Sequence, residues 1–124
     1  MQATVLVVEQ DLLTRQTFVE MVGVCGYLSM GAEDAVQARD MLRNMTFDVV
    51  LSGSTLGSES GLAFADDVKL ISPGTGIILI LSDHATRELT GRAVDMHLCK
   101  PFSILQLRHA LHATVSRSDT RQTS

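Results

Sequence analysis

The stretch "FDVVLSGSTLGSESG", Phe47 to Gly61, changes character halfway along. Phe47 to Ser52 is short, apolar and β-branched, as a strand buried on both faces is. The second half is a loop of Gly, Ser and Thr whose only acid is Glu59. A loop of that composition can cradle a phosphate on its backbone N–H groups. It can equally be what is left when a reactive side chain is lost from the end of a strand. The fold around it decides between the two.

Outward from this stretch, apolar runs alternate with amphipathic ones. "TVLVV" (Thr4 to Val8) reads as a buried first strand, and "YLSMGA" (Tyr27 to Ala32) as a weaker second. "IILILS" (Ile77 to Ser82) is the most apolar and reads as central, and "MHLC" closes the set. Between them lie helical patterns. Asp11 is placed to cap a helix whose inner face carries Leu12, Phe18, Val19 and Val22, and Gly26 is placed to end it. "EDAVQARDMLRNM" turns Ala35, Ala38, Met41, Leu42 and Met45 inward. "LAFADDVKLI" is stopped by "SPGTG". "ATRELTGRAV" is short, polar and weakened by Gly91. In the last helix Ser103 caps a stripe of Ile104, Leu107, Leu111 and Val115.

Five strand–helix units with continuous apolar strands imply a parallel sheet covered on both faces: an α/β, flavodoxin-like (βα)5 three-layer sandwich. Right-handed crossovers favour the order 2-1-3-4-5. The domain is expected to span residues 1–116, with 117–124 a flexible polar tail. Function in such sheets sits at the carboxyl ends of the strands. Five segments reach that edge: Glu9 to Asp11, Gly31 to Glu33, Gly53 to Ser60, Ser82 to His84, and Cys99 to Pro101.

The totals narrow the function. The chain has 124 residues, enough for one core. With 45% of it apolar and 19% charged, it is globular rather than disordered. A net charge of −4 without Lys or Arg runs gives no basis for nucleic-acid binding. No apolar run reaches membrane-spanning length, and the N-terminus lacks signal-peptide character. Cys25 and Cys99, far apart, read as buried thiols of a reducing compartment. A cytoplasmic location is expected.

The five edge segments resemble the receiver domain of bacterial two-component response regulators, over about Thr4 to Val115. "VLVVEQD" is similar to the family's first strand with its acidic pair. "FDVVLSGSTLGSESGL" resembles the third strand and following loop, including Gly61. "IILILS" resembles the fourth strand with its switch hydroxyl, and "LCKPF" the fifth with its Lys and Pro, a Pro that often follows a cis bond. The resemblance implies a signalling module and not an enzyme, with phosphotransfer to an aspartate at the end of the third strand and Mg²⁺ beside it.

This chain departs from that pattern at the aspartate itself. Its position matches Gly53, which has no nucleophile. Ser52 and Ser54 do not replace it simply, because side chains alternate along a strand. In the acidic pair Glu9 is kept and Gln10 is not, so one carboxylate of the trio survives. Lys100 is expected to neutralise it, leaving Mg²⁺ weak or absent and Glu9 only a weak metal candidate. Ser82 matches the switch hydroxyl, but Asp83 follows where the family has a small residue, and a carboxylate there repels phosphate. His97 stands at the switch-aromatic position. The Ser82–Lys100 segment is about one helical turn short, so the fourth helix is expected to be short or irregular.

Blander readings accompany these. Lys100 reads as a structural partner of Glu9 or of a strand-end carbonyl. The 53–61 loop reads as mobile and without ligand, although Ser54, Thr55 and Ser58 could hold an anion. His109 and His112 read as a solvated helix face rather than a metal pair, His97 as a partly buried strand residue, and Cys99 as a small buried one. The Met residues read as core packing.

The sequence thus points to a stand-alone pseudo-receiver without catalytic residues, acting by phosphorylation-independent protein–protein interaction. Its partner would be a histidine kinase, another regulator or a second copy, met on a face that includes Arg87, Arg92, His97, Arg108 and His112. One alternative is a small anion or nucleotide module using the loop with Ser82 and Lys100. The other is a phosphorelay receiver with a non-standard acceptor such as Asp11, Asp83 or a serine.

Overall fold

The computed structural model describes residues 2–82 and 93–123. In chain order it contains β1 (Thr4–Val8), α1 (Leu12–Val24), β2 (Leu28–Ala32), α2 (Ala35–Asn44) and β3 (Val49–Gly53). These are followed by β4 (Thr55–Leu56), β5 (Glu59–Ser60), α3 (Gly61–Ile71), β6 (Gly76–Leu81), β7 (Met96–Cys99) and α4 (Ile104–Thr123). The main sheet runs β2-β1-β3-β6-β7, and every neighbouring pair is parallel. Counting only its strands, this is the expected order 2-1-3-4-5. The fourth helix, Asp83, Arg87 and Arg92 lie outside the described residues.

The strands alternate in which face they serve. Leu6, Val8, Val50 and Ile77 pack with Ala35, Ala38 and Leu42 of α2 and Phe64, Ala65 and Val68 of α3. Val5, Val7, Val49, Leu51, Ile78 and Ile80 pack with Phe18 and Val22 of α1 and Leu107, Ala110 and Leu111 of α4. Because both faces of β1, β3 and β6 are buried, those strands read as unbroken apolar runs. On the helices three expected core positions fall outside: Leu12 is 54% exposed, Met45 45% and Ile104 39%. Each lies at or next to a helix end, where the apolar stripe has run past the sheet edge.

Local chemistry sets the boundaries. Asp11 caps α1, accepting from Thr14 N at 2.9 Å. At the other end Gly26, at φ +97°, donates to the Gly23 carbonyl while Tyr27 N donates to Val22 O, a Schellman closure. Ser103 and Gln106 form a reciprocal capping box at the start of α4. That helix continues to Thr123, past the expected end near Val115 and through most of the supposed tail. Residues 116–123 hold neither Gly nor Pro, so nothing local stops the helix. At the amino end of the sheet, Asp95 accepts from Ile77 N at 2.8 Å and pairs with Lys69 at 3.1 Å. These contacts tie the start of β6 to the segment leading into β7, at the end of the sheet opposite the functional edge.

Two glycines permit close approaches. A Cβ on Gly76 would strike Thr114 of α4, and one on Gly61 would strike the Gly53 carbonyl and come within 2.9 Å of Leu79 Cδ1. Gly53 is different: a Cβ there would meet only ordinary contacts, the nearest at 3.6 Å. Gly61→Ala is therefore expected to lose about 1–3 kcal/mol of stability, as overpacking does, and Gly53→Ala much less. Urea denaturation of both variants checks this, and equal losses would contradict the geometry.

Candidate functional site

The register brings the site residues to one edge. Val8 of β1 pairs with Ser52 of β3, so Glu9 and Gly53 follow at the same level. Leu81 of β6 pairs with Cys99 of β7, which sets Ser82 beside Lys100. Ser52 is fully buried and its hydroxyl donates to the Gly53 carbonyl at 2.9 Å, so it points away from the edge. A Cβ built on Gly53 would stand 3.6 Å from Glu9 Oε1. Space for a side chain therefore exists at this point, directly beside the one surviving carboxylate.

Glu9 is held from three directions. Its N–H donates to Ala32 O at 3.0 Å, its carbonyl accepts from Arg15 Nη1 at 2.9 Å, and Oε2 accepts from Asp11 N at 2.9 Å. The expected Glu9–Lys100 ion pair does not form among the described residues. Lys100 is exposed, so no burial penalty forces it to find a partner. Its ammonium lies 5.8 Å from the centre of the Phe18 ring, within cation–π range, and Phe18 in turn packs on Phe102 at 5.4 Å. The Lys100–Pro101 bond is cis. Asp11 feels the Lys100 charge. Its carboxyl is held below the ordinary value chiefly by hydrogen bonds from the Thr14 N–H and hydroxyl, with smaller help from Arg15 and Lys100.

The loop after β3 is more ordered than its composition suggests. Thr55–Leu56 and Glu59–Ser60 pair antiparallel around Gly57, whose φ of +66° suits a tight hairpin turn. Leu56 is buried. Glu59 receives Arg39 Nη1 of α2 at 2.7 Å, and Arg39 also reaches Asp67 of α3 at 3.3 Å. Gly57 N donates to Gln10 Oε1 at 3.1 Å, and Gly61 N donates to Ser54 O at 2.9 Å. Ser60 Oγ accepts from Leu62 N and Ala63 N as the cap of α3. Several N–H groups that a phosphate would need already have acceptors within the protein. Arg39 and Gln10, which tie the loop down, carry no sequence signal for that role, because both contacts join distant segments. The hairpin did carry one, in Gly57-Ser58 between Leu56 and Glu59.

Among the described residues, two clefts at the edge separate the site residues. One, of about 540 Å³, places Ser82 and Lys100 together with Thr14, Phe18 and Phe102. The other, of about 480 Å³, places Gln10 and Ser58 with Glu33, Asp34 and Gly57. Ser54 and Thr55 line neither cleft. His97 and Cys99, expected to be at least partly buried, are both exposed on β7. β7 is the edge strand, so their side of it is left uncovered.

The donor set does not fit the Mg²⁺ that receivers use. Glu9 Oε2 and Gln10 Oε1 already accept backbone N–H groups, and Gly53 offers no oxygen from a side chain. Asp11 is turned to its helix cap. Among the described residues no three His, Cys, Asp or Glu side chains are grouped to hold a metal.

The model of the response regulator receiver domain family matches residues 5–112. The alginate biosynthesis transcriptional regulatory protein AlgB of Pseudomonas putida is 28% identical over 99% of this chain. The chain spans 28% of that regulator's length. Among solved structures, a CheY-like receiver domain protein from Methanospirillum hungatei superposes with a TM-score of 0.88 at 17% identity, covering 98% of this chain and 99% of its own. NtrX from Brucella abortus, solved in complex with ATP, superposes with a TM-score of 0.89 at 22% identity, over 99% of this chain and 29% of its own. These structural likenesses are of fold.

The Asp11 cap gives the site a pH signature. A carboxyl whose folded value is depressed contributes stability above its unfolded value and loses that contribution as pH falls through the folded one. Asp11→Asn keeps an acceptor at the cap but removes the titration. Thermal unfolding followed below neutral pH should show a shallower acid decline in the variant. An unchanged decline would contradict this assignment.

Proposed function

The chain belongs to the response regulator receiver domain family, the receiving module of two-component response regulators, and from that premise we propose that it signals without phosphotransfer, through protein–protein interaction. The observation that carries this reading is Gly53. It stands where the resemblance puts the phosphoacceptor aspartate, with room for a side chain and none present. Gln10 and Asp83 support it independently, the first by replacing a metal carboxylate and the second by standing, in sequence, after Ser82 where the family has a small residue. Losses at several positions of one site argue for abandoned chemistry more strongly than any one of them.

The physical consequence is a scaffold held in one state. In a working receiver a phosphoryl group supplies the free energy that moves the switch residues. Here the Gln10–Gly57 and Arg39–Glu59 contacts tie the loop from within, and Ser82 and Lys100 have no phosphoryl group to follow. The partner is a histidine kinase, another regulator or a second copy in the cytoplasm. It meets the exposed β7–α4 side, where His97 lines a cleft with Gln106 and His109; Arg108 and His112, expected on that face, instead line the side of α4 toward the end of α1. Action as a free-standing domain is part of this proposal.

An anion or nucleotide module built on Ser54, Thr55 and Ser58 with Ser82 and Lys100 is the second reading. The engaged N–H groups of Gly57 and Gly61 weigh against it. Beryllofluoride with Mg²⁺, which mimics a bound phosphoryl group, should leave the amide NMR spectrum unmoved. A saturable shift around Lys100 would overturn the main reading. An anion that raises the melting temperature without Mg²⁺, with shifts at residues 54–58, would favour the second.

A further inference from the structure

Away from the receiver edge, a cleft of about 490 Å³ opens where the end of α1 meets α4. Its walls are Cys25 and Tyr27 on one side and Leu105, Arg108, His109 and His112 on the other. The four α4 residues recur at the spacing of one helix face, so their side chains converge on the same surface. We propose that this cleft binds a phosphomonoester, its phosphate held by Arg108, His109, His112 and the Tyr27 hydroxyl. This site does not depend on the reading of Gly53.

The lining is one-sided in charge. The chain as a whole carries −4, yet the cleft holds an Arg and two His and no carboxylate. Arg108 has no acidic partner within ion-pair distance among the described residues. The two remaining ionisable groups stay neutral. Burial pushes the Cys25 thiol up, against a smaller opposing pull from Arg108, and burial likewise pushes up the Tyr27 hydroxyl. Tyr27 therefore remains an O–H donor, and Cys25 adds no negative charge.

The carbonyls ending α1 would repel an anion if they were bare. Three of the last four are satisfied: Met21 O accepts from Cys25 N, Val22 O from Tyr27 N and Gly23 O from Gly26 N, and just beyond the helix Gly26 O accepts from Gln2 Nε2 at 3.0 Å. What faces the cleft is a guanidinium fork, two imidazoles and a phenol, the donor types that match a tetrahedral oxyanion. The Tyr27 ring and Leu105 add an apolar wall, which suits an organic ester better than the free ion.

Titration of the full chain with phenyl phosphate, read by NMR, should shift Tyr27, Arg108, His109 and His112 saturably. Inorganic phosphate should shift the same residues more weakly. Arg108→Gln should weaken phenyl phosphate binding about tenfold, the scale of one charge-assisted bidentate contact, and Tyr27→Phe should weaken it less. No saturable shift in the millimolar range would overturn the proposal. So would binding unaffected by Arg108→Gln, or shifts centred on Ser54 and Lys100.

Discussion

At Gly61 the chain leaves the β4–β5 hairpin and enters α3 directly against the Gly53 carbonyl, an approach that any side chain would block. That contact fixes the distance between the end of the third strand and the helix after it. With it come the placement of Phe64, Ala65 and Val68 on the sheet and the position of the hairpin over the edge. The constraint belongs to the scaffold and not to the chemistry. The carbon before it, at Gly53, is under no such pressure, because a Cβ there meets only ordinary contacts. One glycine is required by packing and the other is not. On the proposed reading, this difference lets the fold persist without a carboxylate at position 53.

The consequence at the edge is a site whose polar groups answer one another. Glu9 accepts from Asp11 N, Gln10 from Gly57 N, and Glu59 binds Arg39, so these three groups find partners within the chain. Lys100 leans over Phe18, outside ion-pair distance of Glu9. A working receiver needs its carboxylates crowded and unsatisfied, since their mutual repulsion is what makes a dication welcome. With a single carboxylate of the trio left, and one of its oxygens hydrogen-bonded, that demand is weakened.

The inner strands were legible in the sequence because burial on both faces leaves continuous apolar runs at Thr4–Val8 and Ile77–Leu81. The caps at Asp11, Gly26 and Ser103 were legible because each acts within a few residues of itself. What escaped was long-range or terminal. The Arg39–Glu59 and Gln10–Gly57 contacts join segments that only the fold brings together. The loop's Ser, Thr and Gly content suggested mobility, while its buried Leu56 and Gly57 turn make it a hairpin. Leu12, Met45 and Ile104 fit a helical period but lie at or beside helix ends, where periodicity says nothing about cover. A Glu9–Lys100 pair is expected only of a buried lysine, and Lys100 is exposed.

The central claim is that this domain cannot take a phosphoryl group, because Gly53, Gln10 and Asp83 together oppose the chemistry. Intact-mass measurement after incubation with acetyl phosphate and Mg²⁺ tests it most directly, on the native chain and on Gly53→Asp side by side. The native chain should gain no phosphoryl mass, and Gly53→Asp should gain little, because Gln10 and Asp83 still oppose the chemistry. A phosphorylated native chain, at Asp11, Asp83 or a serine, would contradict the account outright. Full labelling of Gly53→Asp would show that Gln10 and Asp83 are not the obstacles described.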